Sequence, residues 1–199
     1  MDLGDEKINF LKQLISDNNW ETVLNSNGIT TEKRMLPQSD IACFRSYGLI
    51  NADRDDLVEF VWNTYNTKES VCYFDPDVTD YRIIKDMDDR TRLCCQINTL
   101  PWPLWQRESV YLQRLDHEQT TSYIIMYSVE SNAAPIQEDK YVRTNINISA
   151  YAFESQGLST MVYRIAHIDP SGKIPVSLVN SYANKSTTMI KHLMSVYNQ

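Results

Sequence analysis

The sequence predicts an α+β fold in which a curved antiparallel sheet wraps around a long C-terminal helix. Two observations carry this prediction. Apolar residues recur every three or four positions near both ends of the chain, and most of the sequence between them alternates with the period of a strand. The order helix, strands, helix, many strands, long helix is an α+β pattern. With 199 residues, we expect a single domain over residues 1–199.

The first third of the chain predicts two helices with a pair of strands between them. Residues 5–16 place apolar side chains at helical spacing and begin with acidic residues, which a helix dipole favours there. Alternation over residues 29–36 and 41–50 predicts two strands joined by a turn at 37–40. Residues 53–65 repeat the acidic start and the apolar stripe, which predicts the second helix.

The remaining two thirds predict antiparallel strands and a closing helix. Alternating runs occupy residues 81–85, 92–99, 106–115, 122–131, 141–153 and 160–168. A loop at 132–140 separates the first four runs from the last two. After a turn at 169–172, apolar residues recur at helical spacing from Val179 to Tyr197, which predicts a long closing helix.

Composition excludes several classes of protein. Apolar residues make up 42% of the chain and charged residues 23%, the balance of a globular protein. No apolar run reaches the roughly 20 residues of a membrane span, and the acidic start does not resemble a signal peptide. A cytoplasmic location is therefore expected. The net charge of −7 disfavours nucleic acid and tight binding to acidic membranes, and leaves transient membrane contact open.

No cofactor or metal is expected. The four cysteines, Cys43, Cys72, Cys94 and Cys95, match no zinc spacing, and in a reducing compartment they are interpreted as buried thiols. The three histidines are far apart in sequence and follow no metal-ligand pattern.

The run PWPLWQRESVYLQR, residues 101–114, joins an aromatic turn to an alternating strand. Pro101 and Pro103 fix φ and withhold two backbone donors, so this turn cannot belong to a central strand. We interpret Trp102 and Trp105 as packing residues. One face of the strand carries Ser109, Tyr111 and Gln113, and the other carries Val110, Leu112 and Arg114.

Several local motifs occur in the order and spacing of one protein family. They are Trp20-Glu21, RSYGLI at 45–50, Phe74-Asp75, Pro101-Trp102-Pro103, RESVY at 107–111, Val142-Arg143, and DPSGKIP at 169–175 with Asn180 beyond it. Through them the chain resembles the START (steroidogenic acute regulatory protein-related lipid transfer) domains over residues 20–197. The resemblance implies a helix-grip fold, whose sheet and C-terminal helix enclose an internal cavity for one lipid molecule, and a carrier that exchanges lipids with membranes.

The resemblance also bears on the ligand. In the phosphatidylcholine-binding branch, aromatic rings surround the choline group, as cation–π attraction favours. At the matching positions this chain keeps the ring of Tyr111 but carries Gln96 and Asn147. Val71 stands where that branch has an arginine for the phosphate, which leaves Asp75 without that partner. These differences disfavour phosphatidylcholine.

Sterol-binding members carry a cavity arginine at the position of Gln113. The nearest basic residue here, Arg114, points to the opposite face of the strand. The expected cavity therefore offers neutral groups, from Gln96, Tyr111, Gln113 and Asn147. Such groups suit an uncharged polar end, because burying them costs less than burying a charge. We predict a sterol or another lipid with a neutral headgroup, with a phospholipid as the second candidate.

The expected lipid-binding residues are Asp75, Gln96, Tyr111, Gln113, Arg143 and Asn147. For Asp75 the alternative is an exposed turn residue, and for Tyr111 a packing residue. Arg143 either faces the ligand or pairs with an acid in the 132–140 loop. Arg107 and Glu108 are interpreted as a structural pair at the start of the strand. Which face of the last strands lines the cavity stays open.

The family further implies a gate made of a loop and the C-terminal helix. Its residues here are Ala134, Pro135, Ile136, Ile190, Leu193, Met194 and Tyr197. The alternative is a loop that simply closes over a helix.

An enzyme is not expected. The sequence contains no G-x-S-x-G elbow, no phosphate-binding glycine loop and no H-E-x-x-H motif. We predict a monomeric lipid carrier with one lipid as its partner. The alternatives are a lipid-sensing module that does not transfer its ligand, and a cyclase-like or hydrolase-like enzyme on the same fold.

Overall fold

The structure is a computed structural model that describes residues 2–172, 174 and 185–198. Its helices are α1 (Leu3–Ser16), α2 (Arg54–Thr64), α3 (Lys68–Phe74) and α4 (Thr188–Tyr197). Its strands are β1 (Glu21–Ser26), β2 (Ile29–Met35), β3 (Ala42–Ile50), β4 (Val78–Asp88), β5 (Thr91–Asn98), β6 (Arg107–His117), β7 (Thr121–Ser128), β8 (Val142–Arg143), β9 (Asn145–Gln156) and β10 (Ser159–Asp169). Among the described residues, no helix has the length and apolar character needed to cross a membrane.

The strands form one sheet in the order β1-β2-β3-β10-β9-β7-β6-β5-β4, with β8 paired to β6 beside this path. Neighbours along the path are antiparallel, whereas β6 and β8 are parallel. The register shifts within the β1–β2, β4–β5 and β9–β10 pairs, and such bulges bend and twist a sheet. The α+β fold predicted from the sequence, with its curved antiparallel sheet, is confirmed.

The outer face of the sheet is covered by α1. Ile8, Leu11 and Leu14 share one side of this helix and pack into a buried cluster with Ile125 of β7 and Ile165 of β10. Because alternate strand residues point to opposite faces, the residues next to these two isoleucines in sequence point to the inner face.

The inner face packs against α2, α3 and α4. Leu57 of α2 and Ile190 and Leu193 of α4 belong to one buried core on this side. Gly48 of β3 allows α4 to come close, since a Cβ atom there would lie 2.6 Å from Cε of Met194. The inner face, closed by these helices, is where a cavity can form.

Two elements were not predicted from the sequence. The edge strand β1 has no buried residue, so its sequence carries no apolar alternation, and α3 is only seven residues long. The predicted strand over residues 141–153 is divided into β8 and β9. The first part of the predicted closing helix, including Val179, lies outside the described residues, and α4 is its described part.

Candidate functional site

A cavity of about 220 Å³ lies between the inner face of the sheet and the helices. Much of its wall is apolar and includes Phe44, Val71, Phe74, Met126, Ile146 and Met189. These side chains come from strands in the middle of the sheet and from α3 and α4. The interior of the cavity is therefore mainly apolar, and polar groups form the smaller part of its lining.

One wall of the cavity carries neutral hydrogen-bonding groups from β5 and β6. The Tyr111 hydroxyl donates to Oε1 of Gln96 at 3.2 Å, and Nε2 of Gln96 donates to Oδ1 of Asn98 at 2.9 Å. Burial raises the pKa of Tyr111, so its hydroxyl stays protonated and neutral. Nearby, the hydroxyls of Ser109 and Thr144 lie 2.5 Å apart. The structure thus places two of the predicted residues, Gln96 and Tyr111, together in the cavity wall.

Asp75 also lines the cavity. It caps the C-terminus of α3, and Oδ1 lies 3.9 Å from Nζ of Lys185, which also forms an ion pair with Asp77. Burial raises the pKa of the Asp75 carboxyl, and the charges of Lys185 and Arg164 oppose that rise. The sequence left two interpretations of Asp75 open, an exposed turn residue or a cavity residue. The structure gives an intermediate result, because the side chain is half-buried and lines the cavity.

Arg164 of β10 is a cavity residue that the sequence reasoning missed. Its Nη2 donates to Oγ of Ser149 at 2.8 Å, and its Nη1 donates to the carbonyls of Ala150 and Ile165 at 3.3 and 2.5 Å. The guanidinium lies 4.8 Å from the ring centre of Tyr151. The sequence pattern that could have identified it is the alternation of β10, which places Arg164 on the same face as buried Val162.

Arg107 lines the cavity where two loops meet. Its guanidinium donates to the carbonyls of Trp105 at 2.6 Å, Pro170 at 2.6 Å and Ser171 at 3.0 Å. It does not pair with its neighbour, because adjacent strand residues point to opposite faces. The interpretation of Arg107 and Glu108 as a pair is therefore wrong.

Gln113 lies on the same strand face as Tyr111 but does not line the cavity. It is fully buried at 0% exposure, and Oε1 accepts a 2.7 Å hydrogen bond from Nε of Arg92. Arg92 in turn donates to the carbonyl of Trp62, so this group lies beneath α2. The cavity ends before Gln113 because α2 covers the inner face there.

Asn147 is displaced from the cavity by a bulge. In the β9–β10 pair, Ile146 faces Ile168 and Ile148 faces His167, which leaves Asn147 as an extra residue. Its Oδ1 accepts from Nζ of Lys7 in α1 at 2.8 Å, so the side chain is on the outer side. The strict alternation assumed for this strand does not hold across the bulge, and Ile146 lines the cavity instead.

Arg143 also lies away from the cavity lining. Nη2 contacts Oε2 of buried Glu108 at 2.6 Å and the carbonyl oxygen of Ala134 at 3.1 Å. Its acidic partner is thus in β6, and not in the 132–140 loop. The arginine ties this loop to the sheet.

The predicted gate residues fall into two groups. Ala134 packs with Leu93, Cys95 and Val110 in a separate buried cluster on the outer side of β5 and β6, while Pro135 and Ile136 are exposed. In α4, Ile190 and Leu193 are buried in the inner core, and Met194 and Tyr197 are half-buried against it. The cavity itself is bordered by Lys185, Ser186, Thr188 and Met189, just before and at the start of this stripe.

The tryptophans of the 101–105 turn do not pack as predicted. Trp102 is 92% exposed and Trp105 is 55% exposed. Their loop connects Asn98 to Arg107, and both of these residues line the cavity. Pro101 and Pro103 keep this loop out of the hydrogen-bonded sheet, so the tryptophan rings do not pack into the buried core.

A serine–histidine–asparagine chain on the outer side is not arranged for catalysis. Oγ of Ser39 lies 2.9 Å from Nε2 of His167, and Nδ2 of Asn147 lies 2.9 Å from Nδ1. Because Lys7 donates to Oδ1 of Asn147, the amide nitrogen faces the histidine and can only donate. The proton is therefore on Nε2, whereas a general base for serine needs that nitrogen free.

Comparison with known proteins agrees with this geometry. The START domain family model matches residues 5–197. Human StAR-related lipid transfer protein 5 superposes with a TM-score of 0.82 at 18% identity, over 99% of this chain and 95% of that one. Human STARD10 gives 0.80 at 18% identity, over 98% and 80%. A STAR-related lipid transfer protein fragment from Xanthomonas axonopodis gives 0.73 at 22% identity, over 92% and 100%. No curated protein sequence matches the chain.

Proposed function

This chain belongs to the START domain family, and from that membership and its cavity we propose that it binds one lipid molecule and carries it between membranes. The observation that carries the proposal is the largely apolar cavity between the inner face and the helices. Removing an acyl chain from a bilayer costs about 0.8 kcal/mol per methylene, and a carrier must provide equivalent burial.

The finer proposal concerns the lipid. The hydrogen-bonded side chains of Asn98, Gln96 and Tyr111 support an uncharged polar group, such as a sterol hydroxyl, at this wall. The cavity of about 220 Å³ is smaller than the pockets of about 300–1,000 Å³ that hold small molecules. This size supports a compact lipid over a phospholipid with two acyl chains. It also implies that the helices shift outward on binding.

Gating and membrane contact form the second part of the proposal. Met189 borders the cavity at the start of α4, which supports this helix as the moving element. The packing of Ala134 on the outer face gives the 134–136 loop less support as a gate. The exposed Trp102 and Trp105 support transient membrane contact beside the cavity, since tryptophan favours the membrane interface.

A transfer assay tests the proposal. Purified protein should speed the movement of a fluorescent sterol between donor and acceptor vesicles. Ala166→Phe, which fills a cavity-lining position, should abolish the acceleration. Ala133→Phe makes the same change on the exposed loop and should leave it intact. Binding without transfer would favour the sensor alternative, and conversion of the lipid would favour an enzyme.

A further inference from the structure

Arg164 is a cavity cation with no acidic partner among the residues that the structure describes. Its bonds go to two backbone carbonyls and one hydroxyl, and it forms an ion pair with no carboxylate of the described residues. The described part of the lining contains two other cations, and both have other partners. Arg107 donates to three carbonyls, and Lys185 pairs with acidic side chains. Unlike Lys185, Arg164 therefore has no carboxylate of the described residues at ion-pair distance to balance its charge.

The donors of Arg164 are also only partly used. A guanidinium has five N–H groups. The bonds of Arg164 all start from Nη1 and Nη2, and Nε donates to nothing in the described part of the chain. The N–H groups of Nε and Nη2 together form a fork that matches the two oxygens of a carboxylate or phosphate. Two of its five N–H groups, the one on Nε and one of the two on Nη2, are therefore left for a ligand.

We propose that Arg164 determines the ligand class, and that the bound lipid carries an anionic oxygen group, a carboxylate or a phosphate, which this guanidinium binds. The inference rests on the proposed lipid-binding function and deepens it. A positive charge in a largely apolar cavity loses hydration, and two charge-assisted hydrogen bonds that the guanidinium donates to an anion offset that loss. Asp75 opposes such a ligand, because its carboxylate interacts with the charge of Arg164 without pairing with it.

The anionic group and the neutral wall occupy different parts of the cavity. Arg164 is on β10 and Tyr111 is on β6, with β9 and β7 between them. Three strand spacings of about 4.8 Å separate them along the sheet. The ligand that fits both has an uncharged polar group near Tyr111, an anionic group at Arg164 and an apolar body between.

Three ligands with the same saturated chain test the role of Arg164: palmitate, hexadecyl phosphate and hexadecanol. In titration calorimetry, at least one anion should bind about tenfold more tightly than the alcohol. Arg164→Gln should remove that preference, because it lowers anion affinity about tenfold more than hexadecanol affinity. Asp75→Asn should strengthen anion binding more than hexadecanol binding. Arg82→Gln, an exposed arginine on β4, is the matched control and should change none of the affinities.

The results separate the inference from the proposed function. Equal binding of the three ligands by the native protein, or an anion preference that survives Arg164→Gln, overturns the role of Arg164 while lipid binding stands. Failure of all three ligands together with failure of sterol transfer overturns both. Which anion binds more tightly identifies carboxylate or phosphate. Should Arg164→Gln not fold, Arg164→Lys keeps the charge but loses the fork, and must reduce the preference.

Discussion

Two arginines on opposite faces of the same sheet show how differently the fold uses one side chain. On the outer face, Arg45 contacts Glu32 at 2.6 Å and donates to the carbonyls of Leu14, Ile15 and Asp17 at the end of α1. On the inner face, Arg164 has no ion pair among the described residues, and its Nε–H donates to none of them.

The two arginines differ in how completely the fold fixes their surroundings. Arg45 joins α1 to the sheet and lies 4.5 Å from the ring centre of Trp20, so its charge is balanced and its surroundings are fixed. Arg164 lines the cavity, and among the described residues its Nε–H has no acceptor. The outer arginine thus joins two elements of the fold, whereas the inner one keeps an unused N–H group beside the cavity.

The largest effect on stability is expected at Arg45. Arg45→Gln leaves the buried carboxylate of Glu32 without its partner, which should lower the free energy of unfolding by about 3–5 kcal/mol. Arg164→Gln should lower it by less than about 2 kcal/mol, because only neutral partners are lost. Urea denaturation measures both. Equal losses would mean that the two faces do not differ in this way.

A smaller difference is expected between two neighbours on β7. Ile125 is buried against α1, whereas Met126 borders the cavity. Ile125→Ala should cost about 2–5 kcal/mol, and Met126→Ala should cost less, because its surroundings already contain space. Met126→Ala should also alter lipid affinity, which Ile125→Ala should not. Thermal unfolding and lipid titration of the two variants check this, and a reversed order of stability would contradict it.

Asp75→Asn should stabilise the protein slightly at neutral pH. Burial raises the pKa of Asp75 in the folded state, so folding is favoured by protonation of this group. Its contribution is largest below the unfolded pKa and is lost as pH rises through the folded pKa. The variant should therefore gain stability at pH 7 and gain nothing in acid. A melting-temperature difference that grows towards low pH would refute this sign.

Trp102→Ala should have the smallest effect on stability. The side chain is almost fully exposed, so the change in unfolding free energy should stay within about 0.5 kcal/mol. Binding to neutral phosphatidylcholine vesicles should fall, because the ring no longer enters the interface. Co-sedimentation with vesicles measures this, with Tyr73→Ala, an exposed aromatic residue of α3, as control. Undiminished vesicle binding would show that this loop takes no part in membrane contact.

Periodicity and local motifs were sufficient for the fold, because an apolar stripe or a regular alternation reports which side of an element is buried. The residues of the cavity wall were harder to predict from the sequence. Tyr111 and Gln96 lie on regular strands and line the cavity, whereas Asn147 lies at a bulge that reverses its side. Gln113 has the expected side but lies under α2, which no strand pattern reports. The alternation of β10 puts Arg164 on the same face as buried Val162, but a charge on such a face does not by itself identify a cavity residue.

The central claim is that the cavity encloses one lipid molecule. Native mass spectrometry of the purified protein after incubation with a total lipid extract tests it most directly. We predict one lipid mass per chain, present in Ala133→Phe and lost in Ala166→Phe. A protein that retains no lipid, or an Ala166→Phe variant that retains as much as the native chain, would contradict the claim.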